Sequence, residues 1–103
     1  MYGRVTRLEG SPEQIDEGIE YVRSTILPAA RELDGFRGIL SLSDRASGKG
    51  LTITIWETEE AMRASEERAN QMRDEAARAL GGTIAGVERY EVTLSEMTAP
   101  ATV

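Results

Sequence analysis

The chain contains neither cysteine nor histidine. The first absence excludes disulfides and thiolate metal sites. The second removes the usual general base near neutral pH, the commonest metal ligand and the usual haem ligand. Aromatic residues are scarce, with one Trp, one Phe and three Tyr, so each has to be weighed individually. Lysine is reduced to Lys49, and the other eleven of twelve basic residues are arginine, which reads as a coding bias of a GC-rich genome rather than a function. No apolar run approaches the roughly 20 residues that span a bilayer. Met1-Tyr2-Gly3-Arg4 leads straight into a strand pattern without the apolar core of a signal peptide, so the expected location is the cytoplasm. A net charge of −6 repels phosphate backbones, so nucleic acid is not an expected partner, and nor is a membrane.

What is present fits one domain of 103 residues, expected over 1–96 with a loose tail at 97–103. Residues 2–8 are rich in strand formers. Ser11-Pro12-Glu13-Gln14 then has the form of a helix start, with a capping box between Ser11 and Gln14. Ile15, Ile19, Val22, Ile26 and Leu33 form one apolar stripe, and Pro28 predicts a break near 26–28. Residues 36–43 and 51–57 read as two strands of a hairpin around the turn at 44–50. Leu51, Ile53 and Ile55 alternate with Thr52, Thr54 and Trp56. Thr58 caps a long helix with Glu59 and Glu60 in its first turn. Its inward stripe is Met62, Ser65, Ala69, Met72, Ala76 and Leu80, and Gly81-Gly82 ends it. A last strand follows within 83–96, with a bulge or bend near Gly86 and with Tyr90, Val92 and Leu94 on one face.

The order strand, helix, strand, strand, helix, strand defines an α+β class: a ferredoxin-like βαββαβ sandwich with a four-stranded antiparallel sheet. Right-handed crossovers place the first and third strands at the sheet centre and both helices on one face. The expectation is that Leu51, Ile53 and Ile55 meet the helices, leaving Thr52, Thr54 and Trp56 on the uncovered face. A second copy packed sheet to sheet then seals that face as a homodimer.

Gly35-Phe36-Arg37-Gly38, the hairpin, and Ile55-Trp56-Glu57-Thr58-Glu59-Glu60-Ala61-Met62 resemble the antibiotic biosynthesis monooxygenase (ABM)-like family of dimeric α+β barrels. The resemblance implies a pocket between helices and sheet, and a mixed set of activities. One branch oxidises polyketide quinols: the electron-rich substrate anion reduces oxygen itself, so no cofactor, neither metal nor flavin, is needed. Another degrades haem with an Asn on the first strand, a Trp on the second long helix and a His further along it. Here the Trp and His positions fall near Ser65 and Glu75, and the only asparagine is Asn70, so haem degradation is disfavoured. The function implied is a cofactor-independent monooxygenase acting on a small aromatic or polyketide-like substrate. The alternatives are a non-catalytic small-ligand binder and a structural homodimer of the same fold.

Six residues are candidates for substrate binding, each with a plainer role beside the functional one. Trp56 is either a pocket wall that stacks on an aromatic ligand or a core or interface aromatic. Ser65 donates to a ligand or bonds the preceding helical turn. Tyr21 and Tyr90 orient a phenol or quinone oxygen, or sit as amphipathic residues at half-buried edges. Arg4 and Arg37 stabilise an enolate or phenolate if they point inward, and pair with glutamates at the rim if they do not. Gly48-Lys49-Gly50 is a hairpin turn, not a phosphate loop. Without histidine, a base must be a carboxylate, a water, or solvent before binding.

Overall fold

A computed structural model describes residues 1–98. The elements are β1 (Tyr2–Glu9), a 3-10 turn (Pro12–Gln14), α1 (Ile15–Tyr21), a π-helical turn (Val22–Ile26) and α2 (Leu27–Arg31). They continue with β2 (Phe36–Ser43), β3 (Lys49–Trp56), α3 (Glu59–Ala64), α4 (Glu66–Leu80) and β4 (Thr83–Glu91). All strand pairs are antiparallel and the sheet order is β2-β3-β1-β4, which puts the first and third strands at the centre as expected. The chain thus has the α+β ferredoxin-like fold. The register slips between Arg7 and Leu8, leaving Ala85 as the extra residue beside Gly86, where a bulge is expected. Of the expected tail, Met97 and Thr98 lie outside any helix or strand, and 99–103 fall outside the described residues. No helix among the described residues is long and apolar enough to cross a membrane.

Three local expectations are corrected. The Ser11–Gln14 capping box does not form: the Ser11 carbonyl accepts from the Gln14 N–H at 3.0 Å, closing a tight backbone turn instead. The helix does not break at Pro28. The Leu27 N–H donates to the Val22 carbonyl five residues back. This wider turn, just before the ring that lacks an N–H and crowds the preceding turn, lets the chain run on into α2. The second long helix is bent at Ser65, which divides α3 from α4. Its start is as expected, with Thr58 Oγ1 accepting from the Ala61 N–H at 3.0 Å.

The largest correction concerns the sheet faces. Directly opposed residues on neighbouring strands point to the same side. One side therefore carries the rows Ile39-Thr54-Arg4-Arg89 and Ser41-Thr52-Thr6-Val87, with Trp56 opposite Tyr2. That is the helix side, for Arg4, Thr6 and Trp56 are buried. Ile53, Val5 and Leu40 lie on the other side with Ile55, Leu51 and Tyr90, where Leu40 is 41% and Tyr90 54% exposed. Period-two alternation shows which residues share a face, but not which face the helices cover.

The helix side is not filled. Its walls include many short side chains: Thr6, Thr52 and Thr54 on the sheet, and Ala30, Ala69, Ala76 and Ala77 with Gly18 on the helices. Among the described residues the buried apolar set is small, namely Ile15, Ala30, Trp56, Met62 and Ala69. Small residues facing small residues leave a void that neither wall can collapse into.

Candidate functional site

That void is a cavity of about 180 Å³ between the helices and the sheet, partly open to solvent. Its lining is mostly apolar, with Ile15, Ile19, Val22, Leu33, Met72 and Leu80 around a few polar groups. Trp56, at the end of β3, lines it and is 2% exposed. The indole is held on three sides. Nε1 donates to Thr54 Oγ1 at 3.0 Å, Phe36 meets the ring edge-on with centroids 5.5 Å apart, and the Arg4 guanidinium lies 5.5 Å from its centroid.

Arg4 is the electrostatic centre of the site. It leaves β1 opposite Thr54 on one side and Arg89 on the other, and is 2% exposed. Nη2 donates to the Met62 carbonyl and to Ser65 Oγ, both at 2.7 Å, and Nε to Glu66 Oε1 at 3.3 Å. The bend between α3 and α4 makes this possible, because it turns a helix carbonyl, a hydroxyl and a carboxylate toward one strand position. Nη1 has no hydrogen-bond partner among the described residues. Arg4 is one of the residues that line the cavity.

Glu66 joins two strands. It holds Arg4 on β1 and takes Arg89 on β4 in a fork, Nε to Oε1 at 2.5 Å and Nη2 to Oε2 at 2.8 Å. The Arg89 hydrogen bonds hold the Glu66 carboxyl below its ordinary range, with the charge of Arg4 adding to them against partial burial. Burial lowers the guanidinium pKa of Arg4, and Glu66 opposes the shift. A carboxylate so engaged is a poor proton acceptor.

The structure brings Trp56, Tyr21 and Arg4 together on the cavity wall. Ser65 stands behind Arg4: its hydroxyl accepts from the guanidinium and donates to the Met62 carbonyl at 2.7 Å. Tyr90 lies on the opposite sheet face, where its hydroxyl donates to Glu88 at 2.8 Å. That bond raises the phenol's pKa. Arg37 is exposed and pairs with Glu57 at 2.9 Å. Neither Tyr90 nor Arg37 lines the cavity. The sequence reading passes over Arg73, a cavity-lining residue of α4, and Glu66. The available signal is spacing: Ser65, Ala69 and Arg73 recur every four residues along one helix row. Among the described residues, no group of three or more acidic side chains is placed to hold a metal.

A profile of the antibiotic biosynthesis monooxygenase family matches residues 1–70, and the chain belongs to that family. Two uncharacterised proteins of Mycobacterium tuberculosis are similar to it. Rv2558 is 44% identical over 94 residues, covering 91% of this chain and 39% of its own length. Rv2557 is 42% identical over 92 residues, covering 89% and 41%. The chain thus spans about two fifths of the length of the curated relatives it matches. Among solved structures, the ActVA-Orf6 monooxygenase of Streptomyces coelicolor, in complex with nanaomycin D, superposes with a TM-score of 0.69. It is 17% identical, over 97% of this chain and 92% of that one. SnoaB, a cofactor-independent oxygenase of Streptomyces nogalater, gives 0.66 at 17% identity over 91% and 94%. MhuD, as a point mutant with manganese protoporphyrin IX bound, gives 0.68 at 21% identity over 95% and 100%. These likenesses establish the shared fold.

Proposed function

We propose that the chain is a cofactor-independent monooxygenase that binds a small aromatic or polyketide-like substrate in this cavity. The observation that carries the reading is the pairing of an apolar, partly enclosed hollow with a buried guanidinium whose Nη1 is unbonded, next to an indole face. An engineered apolar cavity of about 150 Å³ accepts benzene, so about 180 Å³ accepts one ring or a compact pair. A third ring would reach into solvent through the open part of the cavity, and a porphyrin is far too large for the cavity as it stands.

In this reading the substrate enters as a phenolate or enolate and lies against Trp56, with its oxygen at Arg4 and Tyr21 at the wall. Arg4 stabilises the anion where water is largely excluded. The electron-rich ring gives electrons to dioxygen. At the carbon of the ionised methylene, one oxygen atom stays as a carbonyl, and the other leaves as water with that carbon's remaining hydrogen and a proton from solvent. The relatives' fold and the name of SnoaB support this chemistry.

We also propose that the chain acts in the cytoplasm as a homodimer. The uncovered sheet face, with Val5, Leu40, Ile53 and Ile55, supplies the apolar surface that a second copy would cover. The alternative, a non-catalytic ligand binder, is favoured by the lack of histidine and by the engagement of Glu66 with two arginines. Oxygen uptake with an anthrone-type substrate decides between them. A rate above the protein-free reaction supports catalysis, and a rate equal to it leaves the binder.

A further inference from the structure

Four charged residues line the cavity: Arg4, Glu9, Lys49 and Arg73. Glu9 and Lys49, of opposite charge, are opposed in register at the hairpin end and exposed. The other two do not cancel. Arg73 projects from α4, half-buried. It donates to the Asn70 amide oxygen, and no carboxylate among the described residues lies within ion-pair distance of it. Arg4 shares its one carboxylate, Glu66, with Arg89. Arg4 and Arg89 are thus paired with one carboxylate, and Arg73 feels Glu66 and Asp74 only at a distance. Burial lowers the pKa of both Arg4 and Arg73, and Arg4 also feels the charge of Arg73. Positive charge left short of counter-charge in a low-dielectric hollow is unfavourable, and an anion relieves it.

We propose that the cavity selects a planar aromatic monoanion, a carboxylate or an already ionised phenol, and that Arg73 is the residue that sets this preference together with Arg4 Nη1. The inference rests on the reading of the cavity as a ligand site for an anion and adds Arg73 as the residue that selects for the charge. It also fits a site in which the carboxylate at Arg4, Glu66, is engaged by two arginines, because a substrate that arrives ionised needs no base.

Calorimetric titration of the intact chain with 2-naphthoate and with its uncharged amide, 2-naphthamide, tests this. The naphthoate is expected to bind at least roughly tenfold more tightly, which is the scale of one charge-assisted hydrogen bond. Arg73→Gln should remove roughly that factor for the naphthoate and leave the amide's affinity unchanged, while Arg73→Lys restores part of it. Equal binding of the two probes overturns the proposal, as does an unchanged naphthoate affinity in Arg73→Gln. If neither probe binds, the ligand-site reading falls with it. An anion preference without any oxygen uptake from an anthrone retires the catalytic reading and upholds this one.

Discussion

Glu66→Gln isolates the charge that joins three secondary-structure elements, because the amide keeps the shape of the carboxylate. In the parent, Glu66 neutralises part of the repulsion between Arg4 and Arg89, which face each other across β1 and β4. Removing one partner of a buried ion pair costs about 3–5 kcal/mol. Two features reduce that figure. Glu66 is 23% exposed, and Arg89 at 42% is solvated enough that its share is small. The remaining loss, mainly at Arg4, is about 2–3 kcal/mol, or roughly 10–20 °C in Tm for a domain of this size. The pH dependence carries a second signature. The folded-state pKa of Glu66 is depressed, so its contribution is fully present above the ordinary glutamate pKa of about 4.3 and is lost as pH falls through the depressed value. Parent and variant should therefore differ most near neutral pH and converge in acid. Thermal unfolding at fixed protomer concentration, from neutral pH down to the acid limit of folding, reads both effects. A neutral-pH Tm within a few degrees of the parent, or a gap that does not narrow in acid, refutes the reasoning.

Ala76→Leu places a larger side chain into the cavity wall, so it should raise stability by about 1 kcal/mol in chemical denaturation while abolishing naphthoate binding. Loss of stability would mean that the wall cannot accept the volume. Gly35→Ala meets both a positive φ of +78° and the Ala61 Cβ at 2.5 Å, so a loss of about 2 kcal/mol or more is expected by urea titration. Ile53→Lys puts a charge at the centre of the uncovered sheet face and should shift the chain to a single-copy species in sedimentation, with its circular dichroism unchanged. A single-copy parent would remove the basis for that expectation.

Much of the fold is legible because its punctuation is chemical. Thr58 with two following glutamates, Gly81 at the end of the second long helix, and the strict alternation of 51–56 each name an element and an edge. The exceptions have a common origin. Local preference alone speaks for Pro28, Ser11 and Ser65, while the structure resolves them through bonds to neighbouring turns: a widened helical turn, a backbone rather than side-chain closure, and a bend that presents three acceptors to Arg4. Of the candidate residues, Arg4, Trp56 and Tyr21 are gathered at one cavity, whereas the register puts Tyr90 on the opposite face and Arg37 sits exposed at the β2–β3 register shift, paired with Glu57.

The reversal of the sheet faces follows from the same limit. The rule that isoleucines face the helices presumes that the opposite side is wet. A sheet with helices on one face and a second copy proposed on the other has no wet side, so apolar character no longer distinguishes them. Volume and polarity decide instead. Ile53 and Ile55, with Val5 on the neighbouring strand, make a flat apolar surface suited to another sheet. The threonines opposite are too short to reach the alanines of α4, so the gap between them persists as the cavity. Arg4 belongs on that side because only there do a helix carbonyl, a serine hydroxyl and a glutamate converge on one strand position. The alanines of the inward stripe, Ala69 and Ala76 above all, serve the site by being small.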